Sequence, residues 1–349
     1  MSRLLYLDSV RGIAILLILW LHLGARTSLV PAILEPTIRI SSFALPLFFI
    51  LSGYLYAPSL ARQNTPTKKI ILGKFKSTLV PFYALSLLFT PLVFINQQLT
   101  PGVSKTWQGS LKALFTFDIS ENLPSGVLWF LFVLFIFFIF TLAVTRLVKN
   151  IRLAKLALWV LSITLLLLYP WLADIHFMGL SRISRAFLFF IFGCYALNYF
   201  LLQKETTYRL LMLWLCAAAI FCIHFYLLQP GTYAYFIFEM LTCILANIAI
   251  ILSCKFLMPR LTRIMEFFSF FGLHSMSIFV FHMPVYTLCA AIFRKTGLYT
   301  YMWTDIVIIA LCALVPLLIE YALSYLPTLH RLLLGRKPLF QTVKNSTQF

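Results

Sequence analysis

Acid is scarce in this chain. Ten Asp and Glu stand against 28 Lys and Arg over 349 residues, for a net charge of +18, and charged residues make up only 11% of the whole. A soluble domain is about a quarter charged, so a water-soluble globule is excluded. No HExxH pattern and no pair of carboxylates at catalytic spacing occurs, which argues against metal-assisted hydrolysis. No CxxC occurs either. All seven cysteines (Cys194, Cys216, Cys222, Cys243, Cys254, Cys289, Cys312) fall in or beside apolar runs, which reads as buried, inert thiols rather than a disulfide framework or a zinc site. There is no basic stripe interleaved with aromatics, so the positive charge does not point to nucleic acid. No small-residue cleavage site follows the first apolar run, which Asp8 and Arg11 interrupt; that run is expected to be an uncleaved span and not a signal peptide.

What is abundant is apolar surface. Hydrophobic residues are 62% of the chain, 35 of them Phe, and mean hydropathy is +0.94. Apolar runs of about twenty residues are the length of a membrane span. They predict an all-α integral membrane protein, a bundle of about ten transmembrane helices near 5–25, 38–58, 77–96, 127–147, 154–173, 183–203, 208–228, 232–253, 268–292 and 303–326. Gln229-Pro230-Gly231 reads as the tight turn of a helical hairpin. Residues 1–327 form one membrane domain, and 328–349 a basic cytoplasmic tail, expected to be mobile. Loops 59–76, 146–155 and 254–266 and the tail carry most of the Lys and Arg, while 97–126 is balanced and 229–231 uncharged. By the positive-inside rule both termini are cytoplasmic, with the short loop at Arg294 and Lys295 against the trend.

The first span carries three ionisable groups, Asp8, Arg11 and His22. At about 100° and 1.5 Å per residue, His22 stands roughly 20° past three full turns from Arg11 and roughly 16 Å along the axis. Asp8 is one turn below Arg11 on nearly the same face. Either residue alone reads as an interfacial side chain: Arg11 snorkelling to the headgroups, His22 satisfied at the membrane surface. On one face with Asp8, the three read better as a wet functional line. A histidine of ordinary basicity is a natural general base near neutrality, and an arginine is a natural phosphate anchor.

Other polar groups have two readings each. Ser52-Gly53 suits close helix packing and equally a narrow channel. Lys68 and Lys69 read as topogenic charge; Lys74 and Lys76, nearer the third span, can also meet phosphates. Trp129 fits the interfacial aromatic belt or stacking on a sugar face. Arg182 and Arg185 are interfacial snorkels or binders of an anionic acceptor. His282 precedes the kinking Pro284 and shares the outer-half depth of His22, so it can form a second polar wall. His176, His224, His274 and His330 read as background, and Glu239 and Glu320 need partners or protons inside spans. Phe48–Tyr54 and Phe189–Tyr195 echo one another faintly, which Phe abundance alone can produce.

Leu7-Asp8-Ser9-Val10-Arg11-Gly12-Ile13-Ala14, with His22 after it, resembles the opening of the membrane-bound acyltransferase family 3. The likeness continues in order through Phe48-Phe49-Ile50-Leu51-Ser52-Gly53, the basic run from Lys74 to Tyr83, Leu128-Trp129-Phe130-Leu131, and Gly272–Ser275 with Ile278–Pro284. It departs at Lys74 and Lys76, where the family often has arginine, and at Phe279, where tyrosine is frequent. The resemblance implies an O-acyltransferase of the bacterial cytoplasmic (inner) membrane that moves an acyl group, mostly acetyl, from cytoplasmic acyl-CoA to a hydroxyl of a surface-polysaccharide or lipid-linked sugar. Acetyl-CoA is then the donor, and no cofactor is permanently bound. His22 with Asp8 carries the catalysis. Arg11, Ser52, Gly53, Lys74 and Lys76 meet the donor, and Trp129, Arg182, Arg185 and His282 meet the acceptor. Partners are acyl-CoA, a sugar or lipid-linked glycan and membrane lipid. The competing class is a proton-coupled transporter or flippase using His22 and the buried acids as a relay, which leaves the basic segment and Ser52-Gly53 unexplained.

Overall fold

A computed structural model describes residues 5–24, 43–62, 65–99, 105–119, 123–298 and 303–338. The described chain is helical, without strands, in sixteen α-helices: α1 (Leu5–Gly24), α2 (Ala44–Ala61), α3 (Thr67–Lys74), α4 (Val80–Leu99), α5 (Trp107–Thr116), α6 (Trp129–Leu147), α7 (Ile151–Leu167), α8 (Tyr169–Leu172), α9 (Leu180–Tyr195), α10 (Leu197–Leu202), α11 (Thr207–Cys222), α12 (Tyr233–Leu257), α13 (Thr262–Leu273), α14 (Ser275–Lys295), α15 (Trp303–Ser324) and α16 (Pro327–Leu334). Eight helical runs are long and apolar enough to cross a membrane. The protein is an all-α integral membrane protein. Of the ten expected spans, two rest on shorter helices: α7 has 17 residues and α9 has 16.

Side-chain caps explain four helix starts. Thr106, Asn150, Thr206 and Thr232 each accept a backbone N–H of the first turn, at 3.0, 2.9, 3.2 and 3.2 Å, which satisfies a donor no helix can pair internally. The expected hairpin turn is present. Gly231 sits at φ +87° between the π-helical turn Ile223–Leu227, which closes α11, and the Thr232 cap of α12.

The structure corrects several sequence expectations. The stretch read as a basic loop over 59–76 is mostly helix. α3 runs through a π-helical turn at Phe75–Leu79 straight into α4, so Lys74 ends α3 and Lys76 lies within the turn, inside one long rod. The segment expected as one span over 268–292 breaks at His274 into α13 and α14. The beginning of the tail is folded: α16 buries His330, Leu333 and Leu334. Cys216 and Cys222 are exposed on α11, not buried. The start of the second expected span, 38–42, lies outside the described residues.

The chain forms two compact units, Met1–Ala57 with Phe189–Ser275 and Pro58–Leu188 with Met276–Phe349. In the first, α1 packs along α13 and α12, and α11 pairs with α12. Two seams are set by glycine. A Cβ at Gly12 would strike the Phe268 carbonyl, and one at Gly272 the Asp8 carbonyl, so α1 and α13 touch backbone to backbone. Gly53 meets the Phe190 carbonyl and Gly193 the Ile50 carbonyl in the same way, with Cys194 Sγ 3.3 Å from Gly53 O. The two echoing segments are therefore packing partners. In the second unit, the core is largely aromatic. Phe82 meets Phe132 at 5.3 Å between centroids, Phe137 meets Phe187 at 5.0 Å and Phe130 meets Phe279 at 5.2 Å, and such pairs add to their area burial.

Candidate functional site

The first unit holds the strongest group. α1 is a single unbroken helix from Leu5 to Gly24, so Arg11 and His22 keep the helical spacing read from the sequence. Arg11 Nη1 donates to Asp8 Oδ1 at 3.0 Å. The Asp8 side chain is 6% exposed and that of Arg11 32%. A buried carboxylate thus orients a guanidinium that keeps about a third of its surface accessible, which suits an anion-binding arginine. The segment is clamped from behind. Ser9 Oγ donates to the Met265 carbonyl of α13 at 2.7 Å, beside the Gly12–Gly272 contact. His22 stands half-buried in the last turn of α1. Gly53 is buried in its seam with α9, and the neighbouring Ser52 is half-buried.

Asn247 of α12 also belongs to this unit. It is fully buried, and neither atom of its amide has a hydrogen-bond partner among the described residues. Nothing in the sequence singled it out, because one Asn in an apolar run carries no pattern.

The second unit holds the remaining sequence-selected residues. Arg182 of α9 lies over the Trp129 ring of α6 at 5.1 Å, and Arg185 over Tyr169 at 5.8 Å, within reach of cation–π attraction. A backbone stitch brings the first pair together. Asp118 and Phe177 form an antiparallel bridge, with Ile119 N donating to His176 O at 3.0 Å and Met178 N to Phe117 O at 2.8 Å. Gly179, at φ +72°, then packs on Ile119 and on Val133 of α6. This stitch was not legible from sequence, since it is an isolated bridge of one residue on each side.

His282 of α14 is 1% exposed. Its Nδ1 is 3.0 Å from the Ile278 carbonyl. In the neutral ring that contact places the proton on Nδ1 and makes Nε2 the basic nitrogen. Cys312 Sγ is 3.4 Å from the His282 carbonyl, so α15 supports this turn of α14. Lys74 Nζ sits 3.8 Å from the Phe138 ring centroid, while Lys76 is exposed. The π-turn that follows Lys74 and contains Lys76 is braced by Thr78 Oγ1 donating to the Lys74 carbonyl at 2.7 Å.

Glu320 finds its partners at the C-terminal end. Arg336 Nη2 donates to Glu320 Oε1 at 2.6 Å, and His330 Nε2 is 3.7 Å from the same oxygen. His330 Nδ1 is 2.9 Å from the Arg336 carbonyl. Gly335, at φ +65°, presses on the Ser77 backbone of the π-turn. His330 is therefore part of a structural clasp and not interfacial background.

Of the known proteins, no curated protein and no solved structure matches this chain. A family does: the acyltransferase-3 family, described as "Acyltransferase domain", matches residues 4–325. The match takes in α1 and every residue of this site description except His330, Gly335 and Arg336. The chain is thus a membrane acyltransferase and belongs to the acyltransferase-3 family.

Proposed function

We propose that this protein transfers an acyl group, acetyl in the simplest case, from cytoplasmic acyl-CoA to a hydroxyl of a surface-polysaccharide or lipid-linked sugar, in the inner membrane of a bacterium and with both termini cytoplasmic. The observation that carries the reading is the Asp8–Arg11 ion pair and His22 on one unbroken helix. His22 lies eleven helical steps after Arg11, a rise of roughly 16 Å. That length suits a donor whose phosphates and reactive thioester lie far apart. Arg11, fixed by Asp8, holds donor phosphate. Ser52 and Gly53 belong to the donor path, and Lys74 and Lys76 to its phosphate contacts. Trp129 with Arg182, Arg185 and His282 are assigned to the acceptor.

In the chemical step, the imidazole of His22 takes the proton of the acceptor hydroxyl as its oxygen attacks the thioester carbonyl. The carbon–sulfur bond breaks, the CoA thiolate leaves, and the imidazolium returns the proton to it. No net proton is consumed. The test is mass spectrometry of surface glycans from cells with and without the gene. A gain of one acetyl on a defined sugar is expected with it. Unchanged glycans, together with a purified protein that does not bind acyl-CoA, would overturn the assignment and favour transport.

A further inference from the structure

α16 lies past residue 325, where the family match ends, so membership assigns it no role. Within the second unit it packs along α4 and touches the π-turn Phe75–Leu79. Its end is held by the clasp: Arg336 Nη2 lies 2.6 Å from Glu320 Oε1, and the buried His330 places Nδ1 2.9 Å from the Arg336 carbonyl. Gly335, between the two in sequence, closes α16 at φ +65°, with its N–H on the Arg331 carbonyl at 2.9 Å. A Cβ there would come within 2.9 Å of three backbone atoms of Ser77. The clasp thus ends in a backbone contact on the π-turn.

The sequence says why the rod turns there. Pro81 has no N–H for the carbonyl four residues back, that of Ser77, and a proline ring crowds that carbonyl in an α-helix. The rod widens instead. Val80 N reaches back five residues to the Phe75 carbonyl, and the Ser77 and Thr78 hydroxyls both donate to the Lys74 carbonyl, at 3.2 and 2.7 Å. One extra residue in the turn offsets the faces of α3 and α4 by roughly 100°. That offset sets where the two lysines stand: Lys74 over the Phe138 ring, Lys76 exposed. The start of α3 is held as well, since Arg146 Nη2 donates to the Arg62 carbonyl at 2.9 Å.

Ser77, whose carbonyl Pro81 displaces, is also the residue that Gly335 meets. We infer that the C-terminal clasp is a positioning element for the acyl donor. Glu320, Arg336 and His330 hold Gly335 on Ser77, that contact keeps the π-turn in register, and the turn aims Lys74 and Lys76 at the donor phosphates. The inference rests on the assignment of those lysines to the donor. The clasp residues touch no substrate and act through the turn.

Arg336→Ala also costs stability, so the test uses Gly335→Asn. Asparagine is accepted at left-handed φ, which leaves the Cβ against Ser77 as the perturbation. Gly297→Asn is the control, because φ there is +71° and a Cβ meets nothing. The purified full-length protein is titrated with coenzyme A, which carries the phosphates whatever the acyl group, and its melting temperature is recorded alongside. Lys74→Gln with Lys76→Gln should weaken binding about tenfold and flatten its salt dependence. Gly335→Asn should show the same signature, and Gly297→Asn should bind as wild type does. On the double-glutamine background Gly335→Asn should add less than about twofold. Pro81→Ala, which restores an N–H for the Ser77 carbonyl, should weaken binding while the melting temperature holds or rises; a clasp that serves stability alone cannot give that pair of results. The inference is overturned if Gly335→Asn, or Pro81→Ala where Gly335→Asn does not fold, binds within about twofold of wild type. It is overturned equally if the double-glutamine protein binds as wild type does, or if Gly335→Asn has its full effect on that background. Wild-type protein that binds no coenzyme A would sink the proposed reaction and this inference with it, a result distinct from wild-type binding that Gly335→Asn leaves unchanged.

Discussion

Replacing Arg336 with Ala should destabilise the protein more than its place near the C-terminus suggests. Glu320 is a carboxylate inside α15, with its side chain 4% exposed and an Arg336 nitrogen at 2.6 Å. Removing one partner of a buried ion pair costs about 3–5 kcal/mol, because the other charge stays behind. The Arg336 side chain is 28% exposed, so water can replace part of the guanidinium and the lower end, about 3 kcal/mol, is expected. Glu320→Gln keeps an acceptor for Arg336 and should cost about 1 kcal/mol. Glu320→Leu with Arg336→Met removes both charges and should lie within about 1 kcal/mol of wild type, since apolar replacement of a buried pair is often neutral. The assay is equilibrium unfolding of the purified protein in mixed micelles, followed by tryptophan fluorescence. The expected order places Arg336→Ala lowest, Glu320→Gln next, and the double variant beside wild type. An Arg336→Ala protein as stable as wild type would refute the reasoning, as would a double variant less stable than Arg336→Ala.

Other outcomes follow from particular positions. Asn247→Leu should leave the melting temperature unchanged or raise it, because an unpartnered buried amide costs about 1–3 kcal/mol; a fall of several degrees would show that the amide is satisfied. Gly53→Ala and Gly193→Ala should each cost about 1–3 kcal/mol by forcing the α2–α9 seam apart. Together they should cost less than their sum, since the seam opens once. Gly73→Ala, where a Cβ meets nothing, should be neutral or stabilising in the same unfolding assay. Trp129→Ala and Arg182→Ala should show a coupling of about 0.5–1 kcal/mol in a double-mutant stability cycle. On the acyl-transfer reading, either should raise the acceptor KM and leave the donor KM unchanged; an effect on the donor KM alone would remove these residues from the acceptor side.

Much of the architecture was legible because lipid imposes a simple rule: apolar runs of span length, helices throughout. α1, α6, α12 and α15 appear close to where hydropathy puts them. Hydropathy fails where polarity and helicity part company. Lys68, Lys69 and Lys74 read as a loop, yet they lie on α3, since lysine is a good helix former. His274 breaks an apolar run that contains no proline at that point, so the α13–α14 break had no composition signal. The Asp8, Arg11 and His22 line was legible because ionisable residues inside a span are costly and rare. Pairings across long sequence distance were not. The echo of Phe48–Tyr54 in Phe189–Tyr195 was visible, but that these segments press on each other through Gly53 and Gly193 required coordinates. Glu320 declared a need for a partner without naming Arg336.

The central claim is that His22 is the base of an acyl transfer whose donor is held at Arg11. The direct measurement is single-turnover transfer from radiolabelled acetyl-CoA to acceptor in proteoliposomes, comparing His22→Ala and Arg11→Ala with wild type. Loss of a general base costs about 10²–10⁴-fold in rate. His22→Ala should therefore bind acetyl-CoA with wild-type affinity and transfer at least a hundredfold more slowly, while Arg11→Ala should lose donor affinity first. Transfer by His22→Ala at a rate near that of wild type would contradict the account.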